Sequence, residues 1–314
     1  MARQQEMNAL TINLNRCVVA KILSTFCFLI IIFCLYTVAQ NSGVQGYEIS
    51  IYDEYPKSFW YLIILCIIIF QIVIFIDIFS NNQSSISWKM ACLGIVLCNS
   101  IIILLPLIRR YVILGRGDCC THLGYMLEIQ HSGNFGDNTY PIAHILGVIF
   151  ADICSFPLNI PMLLYPFIFY VLFVLSFYLL HRIIHKSRTS TLIGMMLVPL
   201  LYFGNGNVMF FPQGLANYFV LFVLYLIFYR NHIYRNYSAY ALLIVVSCIF
   251  STFFHPLVSL FLILTLGIHD FSCYLFKRLK FDSELTCVSN YRLIIILLIV
   301  FFSWQFHARI LLGT

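Results

Sequence analysis

Charged side chains are scarce in this sequence. Asp, Glu, Lys and Arg together make up 10% of its 314 residues, against roughly 25% in an ordinary soluble domain. With 61% of the residues hydrophobic, a water-soluble fold of this length would lack the polar surface to cover itself. Neither a GxGxxG turn nor a Walker-type glycine loop occurs, which excludes the familiar nucleotide-binding turns. The 12 cysteines show no CxxC or Cys/His zinc spacing. No repeat of fixed period, low-complexity run or long polar segment marks out a soluble domain.

What fills the chain is a succession of apolar stretches, most of them near the 17–25 residues, roughly, that cross a hydrocarbon core. Nine are read: Cys17–Val38, Phe59–Phe79, Lys89–Ile108, Met162–Ile184, Thr191–Phe203, Gln213–Tyr229, Ala239–Phe254, Leu257–Phe276 and Leu293–Phe306. The first follows Arg3 and Arg16 as a secretory signal would, but it is too long for a signal core and is read as a retained helix. The expected fold class is therefore an all-α integral membrane protein of about nine transmembrane helices, divided into an N-terminal hairpin, 1–88, and a core, 89–314. Most of the cysteines fall in or beside spans and read as small packing residues.

Lys and Arg collect in cytoplasmic loops. With the N-terminus cytoplasmic, thirteen of the 18 basic residues lie inside, and the net charge of +6 is a topology signal with no nucleic-acid partner implied. Arg109, Arg110 and Arg116 are the clustered exceptions, at the start of an outer loop, 109–161.

That loop carries the chemistry-bearing residues. Leu123, Met126 and Leu127 give a short helical pattern. Ile142, Ile145, Leu146, Ile149, Phe150 and Ile153 set one apolar stripe along a second helix. At about fourteen residues, or roughly 21 Å, this second helix falls short of a crossing and is expected to lie on the membrane surface, apolar face down. Asp118 and His122 are four apart and share a helix face with Tyr125. Together they could serve as a base, a metal site or a hydrogen-bonded pair, and the plainer alternative makes Asp118 an N-cap. The three arginines suit phosphate, whether of a donor or of lipid headgroups. His144 and Asp152 fall on the polar face of the second helix, and His255 ends a later hairpin. Gly204–Asn207 and Phe211–Gly214 read as an outer turn, with a contribution to an acceptor site as the alternative.

Gly117-Asp118, His122, Tyr125, Gly133-Asn134-Phe135, Tyr140-Pro141 and His144 together resemble the first external loop of the GT-C superfamily of membrane glycosyltransferases. The likeness is strongest over 109–188 and is closest to prokaryotic, archaeal-like members. It implies transfer of a sugar from a polyprenyl-phosphate carrier to a glycan, lipid or protein acceptor at the extracytoplasmic face of the plasma membrane. Asp118 would be the base, with His122 beside it as a catalytic orienting group. Arg109, Arg110 and Arg116 would hold the phosphate, His144 and His255 would contact substrate, and a divalent metal would be an optional cofactor. The paired acidic form common in that superfamily is missing, because Cys119 and Cys120 follow Asp118, and the chain stops at Thr314. These departures keep open an inactive or truncated membrane scaffold, beside a third reading as a lipid or solute transporter.

Overall fold

A computed structural model describes residues 2–41, 43–44, 46, 48–79, 86–115, 117–185, 187–198, 208–230, 237–279 and 289–311, with side chains from Val18 to His307. The described residues form eleven helices and no strands. They are α1 (Ala2–Gln40), α2 (Lys57–Ile78), α3 (Ser87–Ile108), α4 (Asp118–Ser132), α5 (Pro141–Cys154), α6 (Asn159–Ile184), α7 (Arg188–Leu197), α8 (Pro212–Tyr229), α9 (Tyr237–Phe254), α10 (Pro256–Arg278) and α11 (Tyr291–Leu311).

Seven of them are long and apolar enough to cross a membrane: Val18–Gln40 of α1, and α2, α3, α6, α8, α9 and α10. The chain is an all-α, multi-pass membrane protein. The other two expected spans are not among these seven. The stretch 191–203 begins as α7, whose ten residues reach about 15 Å at 1.5 Å per residue, and 199–203 lie outside the described residues. The last, Leu293–Phe306, lies wholly within the 21-residue α11, whose described side chains end at His307.

The helices gather into two compact units, 1–114 with 184–208, and 115–183 with 209–314. This division differs from the boundary expected after residue 88, because α3 packs on α1 and α2. In the first unit the core runs through Cys27, Ile31, Cys34, Ile63, Cys66, Phe70, Ile95 and Cys98. Small residues let the helices approach closely, as membrane packing requires. Gly94 is the tightest point, since a Cβ there would stand 2.2 Å from the Phe70 ring. Cys273, in the second unit, is disulfide-bonded and so departs from the packing role expected of the cysteines.

In the second unit α9 packs on α8, α10, α11 and α5, and α4 packs on α5. Gly133, at φ 70°, ends α4 in the left-handed conformation that glycine adopts without strain, and Pro141 opens α5 where no amide donor is needed. Helix α5 forms where the stripe placed it, with the apolar stripe turned outward as a face laid on lipid would be and the opposite face packed on protein. Ala143, His144, Gly147, Val148 and Ala151 are buried, whereas Ile149 and Ile153 are 47% and 78% exposed. In a membrane protein the large apolar stripe suits lipid, and the small residues pack against protein.

Candidate functional site

Helix α4 positions the first two site residues. Its N-cap is Gly117, at φ 65°, so the chain turns sharply and Asp118 becomes the first helical residue. Asp118 makes no capping hydrogen bond, and its exposed carboxylate has no hydrogen-bond or ion-pair partner among the described residues. One turn later His122 points along the same face, as the four-residue spacing requires. Both line a cavity of 330 Å³ with Thr121, Tyr125, Thr139, Tyr140, Phe211, Pro212, Gln213 and His255. A volume of this size is within the range of about 300–1,000 Å³ typical of small-molecule sites.

The cavity sits where helix ends meet. Its walls are the start of α4, the turn leading into α5, the first residues of α8 and the junction of α9 with α10. Tyr140 and His255 stack at 4.8 Å with their planes 12° apart. Nδ1 of His255 is buried with no hydrogen-bond partner among the described residues, and burial holds its pKa below the ordinary histidine value.

His144 stands behind this wall, wholly buried, and does not line the cavity. The sequence placed it on a polar face, and the structure buries it among polar partners and the Phe210 ring. Its Nε2 lies 3.0 Å from Nδ1 of His122, and its ring is 5.8 Å from that of Phe210. Desolvation, together with the neighbouring His122, pushes the pKa of His144 down to about 3. His122 is also lowered by burial, an effect partly offset by Asp118. Burial thus disfavours the charged form of both rings. Asn138, also wholly buried, contacts Nδ1 of His144 through Nδ2 at 2.8 Å.

The arginines divide differently from expectation. Arg109 caps α3 in the first unit, and its guanidinium is taken up by Glu48, with Nε at 3.0 Å and Nη2 also bonded. Its Nη1 donates to the Asn41 carbonyl at 2.7 Å, and the Tyr55 ring lies 5.4 Å from the guanidinium carbon. The Glu48 carboxyl is held below its usual value by Arg109, and Tyr111 donates to the same group. This buried cluster gives Arg109 a structural role. Arg110 is exposed and has φ 61°. Arg116 lies outside the described residues, as does the expected Gly204–Asn207 turn.

Among the described residues no group of three or more His, Cys, Asp and Glu side chains forms a metal site. One cavity carboxylate beside two imidazoles falls short of the oxygen-rich donor set a hard divalent cation takes. Cys119 is buried, its thiol pushed up to about 11 by desolvation, whereas Cys120 is exposed.

Sequence reasoning found Asp118, His122, Tyr125 and His255 but not Thr121, Asn138, Thr139 or Tyr140 as site residues, and it favoured a turn at Phe211–Gly214, with a contribution to an acceptor site as the alternative; Phe211, Pro212 and Gln213 line the cavity. The Tyr140-Pro141 pair was a signal for helix entry, and nothing in it announced the stack on His255, 115 residues away. No family model matches the chain, and no curated protein or solved structure matches it significantly.

Proposed function

We propose that this chain is a membrane glycosyltransferase that moves a sugar from a polyprenyl-phosphate carrier to an acceptor at the extracytoplasmic face. The observation that carries the reading is the exposed Asp118 carboxylate in a cavity walled by Tyr125, Tyr140, Phe211 and His255. Flat apolar rings with a few polar groups suit the mixed surface of a sugar. An unengaged carboxylate is the group such a reaction needs as a base.

In this reading the acceptor hydroxyl oxygen attacks the anomeric carbon as its proton passes to Asp118. The bond from that carbon to the phosphate oxygen breaks, and the carrier phosphate leaves with the electron pair from the opposite side, inverting the centre. Arg109 takes no part, because Glu48 and Asn41 already hold it. Arg116, two residues before Asp118 in sequence, is the candidate cation for the departing phosphate.

The extracytoplasmic placement draws on charge within the second unit. The cavity lies at the starts of α8 and α10 and the end of α9, and the end of α11 comes to the same side, where Trp304 Nε1 donates to the Thr139 carbonyl at 3.2 Å. Arg230, Lys277, Arg278 and Arg292 occupy the other ends of α8, α10 and α11. Basic residues gathered at the end away from the cavity favour that end as cytoplasmic.

The testing experiment is transfer of labelled sugar from polyprenyl-phosphate donors in membranes containing the wild type or Asp118→Asn. Transfer by the wild type that falls about 10²-fold in the variant is the expected result, the usual scale for losing a positioned base. A wild type inert with every donor would favour the scaffold reading.

A further inference from the structure

Four helices begin at the cavity. Asp118 is the first residue of α4, and Tyr140, Phe211 and His255 are the N-caps of α5, α8 and α10, all of them on the wall. The first turn of a helix leaves amide N–H groups without intrahelical acceptors, and the aligned peptide dipoles put partial positive charge at that end. None of the four starts is closed by a capping side chain. At α8 and α10 the backbone N–H groups of Gln213 and Leu257 have no acceptor among the described residues. Gathering such ends around one hollow favours an anion within it.

A second observation points the same way. His255 is 9% exposed, lines the cavity, and has a buried Nδ1 without a hydrogen-bond partner among the described residues. An imidazole carries at least one N–H in either tautomer and either charge state, and neither ring nitrogen of His255 is hydrogen-bonded among the described residues. A donor left open at that depth calls for an acceptor from outside the protein. On the same wall the exposed Gln213 side chain offers two more N–H groups. Asp118 is the cavity's one carboxylate among the described residues, and it stands at the start of α4, where it complements that helix. His255 and Gln213 stand at two of the other starts.

We propose that the cavity seats a phosphate group at the starts of α8 and α10, with the His255 imidazole and the Gln213 N–H groups as its donors. Naming the anion a phosphate rests on the glycosyltransferase reading, in which it belongs to the polyprenyl carrier, and the anion seat itself does not. A phosphate has several oxygens and accepts from two helix starts and two side chains at once. Among the described residues no lysine or arginine lines the cavity, so the seat is built from partial charges and N–H groups, apart from the contribution proposed for Arg116. In the transfer step it meets the negative charge that develops on the departing phosphate oxygen, while Asp118 takes the acceptor's proton on a different helix.

The test measures binding of radiolabelled inorganic phosphate and radiolabelled polyprenyl phosphate to the full-length protein in neutral detergent, with thermal unfolding recorded for each variant. The wild type should bind the carrier, and inorganic phosphate should displace it. Gln213→Glu puts a carboxylate at the start of α8, which suits the helix and repels the ligand. It should melt no earlier than the wild type and bind carrier about tenfold more weakly or worse, the scale of one hydrogen bond to a charged group. His255→Phe keeps a ring on Tyr140 without the N–H and should lose a similar factor. Asp118→Asn removes the carboxylate from the cavity and should bind more tightly, which a merely structural role would not produce. A wild type that binds neither ligand overturns the proposal, as do folded Gln213→Glu and His255→Phe proteins that bind like the wild type. If the wild type takes inorganic phosphate here but not the carrier, or binds the carrier without transferring sugar, the seat stands and the glycosyltransferase reading fails.

Discussion

Around Arg109 in the first unit, opposite charges and their hydrogen bonds are closed on one another. Around Asp118 in the second, the carboxylate faces an open cavity while the imidazoles behind it are tied down. Both clusters border the end of an apolar helix, and both were equally good candidates when read as sequence. The difference lies in satisfaction. Glu48, Asn41 and Tyr111 meet the Arg109 cluster from its own unit, so its charge is neutralised within the fold and stabilises structure. Asp118 has no such closure among the described residues, and a polar group left open on a concave wall is available for chemistry.

The largest effect expected from breaking this contrast is on stability. Arg109→Gln leaves Glu48 buried without its cation, and loss of one partner of a buried pair costs about 3–5 kcal/mol. Thermal unfolding in detergent should show a marked fall. An unchanged melting curve would mean that the cluster is solvated and that Arg109 is available for phosphate.

Overpacking of the first unit comes next. Gly94→Ala drives a Cβ into the wholly buried Phe70 ring, and strain of that kind costs about 1–3 kcal/mol. Gly147→Ala in the second unit also makes a close contact, 2.5 Å, but with the terminal methyl of Met126. A flexible thioether yields more readily than a ring, so its cost should be the smaller of the two in the same unfolding assay. The reverse order would show that the α4–α5 interface is the more rigid.

Orientation sharpens the comparison without altering stability. The basic ends of α8, α10 and α11 place the cavity outside. Cys273, close to that basic end on α10, is disulfide-bonded, and disulfides persist in oxidising compartments, which argues for the reverse. An impermeant thiol reagent on intact cells decides between them. The charge pattern predicts labelling at exposed Cys120 that disappears in Cys120→Ser, with buried Cys119 protected. Protection of Cys120 in intact cells, with labelling after lysis, would put the cavity in the cytoplasm.

Long-range pairing marks the limit of what the sequence reveals. The spans in α2, α3, α6 and α8–α10 were legible because uninterrupted apolar length is a local property, and α5 was legible from its period. Its stripe turns outward, as an apolar face laid on lipid does, whereas the burial of His144 on the opposite face beside His122 and Phe210 depends on packing that no period encodes. Arg109 drew attention as a cation on the wrong side, but its partner Glu48 lies 61 residues earlier in the chain. The Asp118–His122 spacing was readable along one helix. The wall supplied by Phe211, Gln213 and His255 depends on how α8 and α10 begin beside α4 and α5, which no local pattern encodes.

The most direct test of the division between structural and chemical charge sets Asp118→Asn beside Arg109→Gln in the same two assays, thermal unfolding and sugar transfer. The account predicts that Asp118→Asn melts like the wild type and loses about 10²-fold or more in transfer. Arg109→Gln should melt earlier, while the fraction that remains folded should bind donor normally. An Asp118→Asn protein that transfers sugar at the wild-type rate, or an Arg109→Gln protein of unchanged stability that no longer binds donor, would contradict it.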